Sequence, residues 1–175
     1  MAESVEIPEA TDHFQRRIAL TIAIMAVILA FISTKGDNAK SDSLLSATKA
    51  SSQWAYYQAK SIKEGSHELQ KELLSVLPAS AVAQQKIAPL IASYEEKIKK
   101  YTAEKQEIMD GARKLEEQVT YNGDIDDRCD DAGLLLQIAI VIGSIAILVS
   151  WPLLWYVSIL LGIGGAVVGA TAFFL

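Results

Sequence analysis

Asp, Glu, Lys, Arg and His are missing from three stretches of this 175-residue chain, residues 18–34, 133–150 and 153–175. The 16 Lys and Arg and 21 Asp and Glu, which give a net charge of -5, all lie in the N-terminal tail or between the first and second stretches. Cysteine is nearly absent, and the lone Cys129 permits no disulfide within the chain. The two histidines, His13 and His67, stand far apart and offer no metal-ligand spacing. There is no nucleophile elbow and no phosphate loop. No catalytic, cofactor-binding or metal-binding residue is therefore expected, and the chain reads as a non-enzyme. Its acidic balance lacks the electrostatic footprint of a nucleic-acid binder.

A helix crossing the hydrocarbon layer needs about 20 mostly apolar residues, within a range of about 17–25. Only helices and closed barrels satisfy their backbone groups there, and continuous apolar runs lack the alternation of a barrel strand. Spans are expected at 18–34, 132–150 and 153–175. The first follows an acidic tail, 1–17, that ends in Arg16 and Arg17. Because residues 33–37 make a poor cleavage site, it reads as a retained anchor rather than a signal peptide. Trp151-Pro152 divides the last two spans, since proline lacks a backbone donor and clashes with the preceding turn. Trp151, Trp155 and Tyr156 suit a membrane interface. The lysines and arginines flanking the spans favour, weakly, a cytoplasmic location for residues 35–131.

That insert reads as a soluble antiparallel helical hairpin, coiled-coil-like. In its second arm Ile87, Ile91, Tyr94, Ile98, Tyr101, Lys105, Ile108, Ala112, Leu115 and Val119 alternate steps of four and three, the heptad signature. Lys105 alone departs from the apolar set. A polar residue at one such position fixes register at a cost in stability. The first arm is less regular. Its best seam runs through Leu44, Thr48, Ser51, Ala55, Gln58, Ile62, Gly65, Leu69 and Val76. Helix breaks are expected at 36–38, at 122–124 and around Pro78, with Pro89 kinking the second arm or opening its regular part. At about 1.5 Å per residue each arm extends roughly 60 Å.

The carboxylates Asp124, Asp126, Asp127, Asp130 and Asp131 precede the second span. They read as caps on a helix start, because the pattern of a calcium-binding loop fails at its twelfth position, Leu135. Cys129 among them is a poor nucleophile, since negative neighbours disfavour a thiolate. In the spans, Gly162, Gly165 and Gly169 share a helical face, and Ala139 and Gly143 offer another. Small faces let helices approach closely in lipid, within one subunit or between subunits.

The most distinctive string is ASSQWAYYQAKSIK, residues 50–63. It resembles the signature of an uncharacterised bacterial membrane family, domain of unknown function 4337, and the resemblance covers most of residues 12–175. Ser52 departs from it, an acidic residue being expected there. The resemblance implies a bacterial inner-membrane protein and supplies no activity, ligand or partner. Within the string, Trp54, Tyr56, Tyr57 and Lys60 cover more than one helical face, either as bundle packing or as a contact site for a partner.

The resulting expectation is an all-α membrane protein with three transmembrane helices and a helical hairpin between the first and second. Its surroundings are the lipid bilayer, further copies of itself and an unidentified membrane protein partner. Its role is that of an oligomeric scaffold or regulatory interaction protein. The alternative is a pore-forming or accessory subunit of a transport complex.

Overall fold

A computed structural model describes residues 13–76 and 81–174. The acidic tail up to residue 12 and the break expected around Pro78 lie outside these. The described residues form three helices: α1 (His13–Val76), α2 (Ala81–Val149) and α3 (Pro152–Thr171). Among the described residues there is no strand. Each helix contains a segment long and apolar enough to cross a membrane.

Two of the expected breaks are absent: α1 is helical through 36–38 and α2 through 122–124. A glycine inside a helix costs only about 1 kcal/mol relative to alanine, which packing against a neighbour offsets. At Gly36 the packing is visible: a Cβ there would lie 2.9 Å from the Cβ of Cys129. Gly123 has open space around it and is simply tolerated. Pro89 also lies inside α2, two turns after its start. The same continuity overturns the capping role of the acidic cluster, because α2 has no end near residues 124–131. Asp126 instead faces Lys40 of α1 at 3.6 Å.

The chain divides into two compact units, one formed by residues up to Ser41 and from Asn122 onward, the other by Asp42–Tyr121. The division lies several residues inside the hairpin limits of 35 and 131 drawn from charge alone.

In the first unit, Met25, Ile32, Ala39, Ile125, Cys129, Ala132 and Leu136 form a continuous buried cluster. The chain turns at Ser150, whose φ of 52° is in the left-handed region, and at the extended Trp151. Pro152, at the start of α3, needs no backbone donor there. The buried face of α3 is Ser158, Gly162, Gly165 and Gly169. Added Cβ atoms would meet Met25 at Gly162, Ile32 at Gly169, and the backbone carbonyl of Ala132 (3.0 Å) at Gly165. These glycines are the contact surface of α3 within one chain. Gly143 is buried against Ile22 and Ser158, and the Ser158 hydroxyl donates to the Ala139 carbonyl at 2.7 Å.

In the second unit, partner numbers rise along α1 as they fall along α2, the mark of antiparallel packing. Ser43 meets Val119, Lys60 meets Glu104 and Lys71 meets Glu95. All ten heptad positions named on α2 are buried or half-buried. The α1 seam is a correction. Leu44, Thr48, Ser51, Ala55, Gln58, Ile62, Gly65, Leu69 and Val76 are all exposed. The buried and half-buried heptad is Ser43, Ser46, Ala50, Gln53, Tyr57, Lys60, Glu64, His67, Lys71 and Leu74. A search for apolar spacing misses it because the facing positions of α1 are mostly polar.

Candidate functional site: a polar seam and its aromatic rim

The steps of four and three turn one row of α1 side chains toward the mostly apolar row of α2. Polar groups taken out of water in such a row must find partners. The Ser43 hydroxyl donates to the Val119 carbonyl at 3.2 Å, and Ser46 donates to the Gln118 side chain at 3.4 Å. Trp54 Nε1 donates to Glu116 Oε1 at 2.7 Å, and its ring meets Tyr57 edge-on. Among the described residues, no buried side-chain nitrogen or oxygen lacks a partner.

The central layers carry charge. Lys60 Nζ lies 2.5 Å from Glu104 Oε2 and over the rings of Tyr56 and Tyr101, at 5.2 and 5.0 Å. Glu64 accepts from Lys105 Nζ through one oxygen and from Thr102 Oγ1, at 2.5 Å, through the other. Lys105 also sits over Tyr57, 5.5 Å from the ring centre. One turn on, His67 stacks between Tyr94 and Tyr101, with ring centres 5.4 and 5.7 Å away. Lys71 pairs with Glu95 at 2.7 Å.

The hydrogen bonds from Lys105, first, and Thr102 hold the Glu64 carboxyl below its ordinary range. Lys60 does the same for Glu104, and Lys71 for Glu95. Reciprocally, Glu104 raises Lys60 and Glu64 raises Lys105. Each shift stabilises the charged state, so the layer stays ionised on both sides at neutral pH.

A family described as a domain of unknown function (DUF4337) matches residues 14–175. The chain belongs to that family. No curated protein matches it, and no solved structure does. The aromatic string through which the sequence resembles DUF4337 thus contributes Ala50, Gln53, Tyr57 and Lys60 to the α1 side of the seam.

Of its four candidate contact residues, Tyr57 and Lys60 are inside the seam and Trp54 is at its edge. Tyr56 is 51% exposed beside Lys60 and faces outward. Apolar spacing alone does not pick out Glu64, Glu104 and Lys71 as partners in the seam. The available signal was Lys105 itself, since a lysine on an apolar seam requires an acid opposite. Elsewhere, the buried Cys129 has its thiol pushed up by burial first; Lys35 opposes this, and Asp126 and Asp130 add to it. Among the described residues, no three His, Cys, Asp or Glu converge as metal ligands.

Proposed function

We propose that this DUF4337 chain is a non-enzymatic, multi-pass membrane protein that spans the bilayer three times. It presents the arms of α1 and α2 as a helical hairpin and acts as an oligomeric scaffold or regulatory interaction protein. One observation carries this reading. The arms pair through a polar seam, and most of the large apolar side chains of the α1 arm are left on its outside, with Leu44, Ile62, Leu69 and Val76 each more than half exposed. An arm whose apolar residues are not spent on its own partner helix is suited to contact another chain.

The expected site is a bacterial inner membrane, with the arms on the cytoplasmic side and a further membrane protein among the partners. Labelling of single cysteines in the arms of intact cells by an impermeant maleimide tests the orientation, the expected result being protection. The pore alternative rests on the glycines of α3. It is less well supported, because in this chain those glycines are occupied by Met25, Ile32 and Ala132. Ion-tight liposomes containing assembled protein would agree with the scaffold reading, and flux would overturn it.

A further inference from the structure

The exposed side of the α1 arm is itself periodic. Thr48, Ala55, Ile62, Leu69 and Val76 follow one another at intervals of seven and are all exposed. Leu44, Leu45 and Leu73, also more than half exposed, flank the ends of this row. Its middle is small, with Ser51, Ser52 and Ala59 beside Ala55, so a second backbone can come close. The residues on this stripe carry no charge from Leu44 to Leu69, and Glu72 lies near its far end. Exposed large apolar groups at Leu44, Leu45, Ile62, Leu69, Leu73 and Val76, joined by small residues on one face, are unusual for a helix with no further partner.

We infer that this stripe is where a second copy of the chain docks, α1 against α1, parallel and in register. The inference rests on the membrane-scaffold reading above, because two copies rooted in one bilayer present their α1 arms in the same direction. A two-fold interface of this kind brings each position of the stripe against its own counterpart. Any charge at its centre would meet a like charge, and the centre has none. A heptad interval is also the one that keeps two parallel helices in contact along their length. With a rise of about 1.5 Å per residue and a helix about 10 Å wide, the stripe from Leu44 to Val76 covers roughly 500 Å² per copy. Counted on both copies, that reaches about 1,000 Å², the lower bound for a specific interface.

The test uses the full chain in its own membrane, in a Cys129→Ala background, with single cysteines at Ala55→Cys, Ile62→Cys and, on the far side of α2, Glu96→Cys. A disulfide forms only where the Cα atoms come within about 7 Å, so it works as a ruler. Mild oxidation is expected to give severalfold more linked homodimer from the two stripe positions than from Glu96→Cys. Equal linking at all three, or none at the stripe, overturns the inference. Native mass spectrometry of the same samples separates the two failures. Oligomers without stripe linking would mean that copies meet elsewhere, while strict monomers would overturn the oligomeric reading as well.

Discussion

Lys105 of α2 donates its ammonium to the Glu64 carboxylate of α1, joining two residues far apart in sequence at the centre of the arm pair. The geometry gives a lysine on an otherwise apolar seam one place to go. Sliding the arms past each other would separate it from its acid, and the pair therefore sets register more than it adds stability.

Removing one member of the pair should be costly. Lys105→Met leaves the Glu64 carboxylate, 8% exposed, with only Thr102 as a partner. The expected loss is about 1–3 kcal/mol, read from thermal melting of the helical signal in detergent. Adding Glu64→Leu should recover part of the loss, since two apolar groups no longer leave a charge stranded. A double variant as unstable as the sum of the two singles would show that the residues do not act as a pair.

The carboxyls of Glu64, Glu95 and Glu104 are lowered from an ordinary 4.5 by lysine hydrogen bonds. A group that is more acidic folded than unfolded stabilises above its unfolded pKa, and that contribution is lost as pH falls through the folded value. Stability of the arms should hold near neutrality and fall once the pH drops below 4.5. Lys60 and Lys105, raised from 10.5, contribute fully below that value and lose their share above it. Melting of Glu64→Gln with Glu104→Gln across the same range should show a shallower acid limb. An unchanged limb would contradict the assignment.

Substitutions on the two seams separate inside from outside. Ile98→Asp puts a charge on the half-buried face of α2 and should cost about 1–3 kcal/mol in melting. Leu69→Asp changes a residue 58% exposed and should leave the arm pair within one chain nearly unaffected, while weakening the contact between copies inferred above. The reverse ranking would restore the apolar seam on α1 that spacing alone suggests.

In the first unit, Gly165→Leu should displace α3, because the obstacle is the backbone carbonyl of Ala132, which cannot rotate aside. Gly164→Leu, with nothing within 4 Å, is the control and should be silent. Faster proteolysis of the Gly165 variant in detergent micelles, with the Gly164 variant unaffected, is the expected outcome. Equal resistance would argue against the glycine contact.

The all-helical class and the α2 seam were legible in the sequence because absent charge and an apolar heptad are direct consequences of burial. The turn at Trp151-Pro152 was legible because proline chemistry is local. The continuity of α1 and α2 was not, since Gly36 and Gly123 read as breakers and only packing shows that one is a close contact and the other merely tolerated. The α1 seam was hidden for a different reason. Its inward residues include Lys60, Glu64, His67 and Lys71, whereas most of its large apolar residues face out, and a rule that places apolar groups inside selects the opposite face.

Copies of this chain are proposed to assemble in the membrane through their helical arms. Native mass spectrometry of the protein extracted from its own membrane in mild detergent tests it most directly. The account predicts a discrete oligomer that contains more than one copy of the chain. A strict monomer, under conditions in which other membrane oligomers survive, would contradict it.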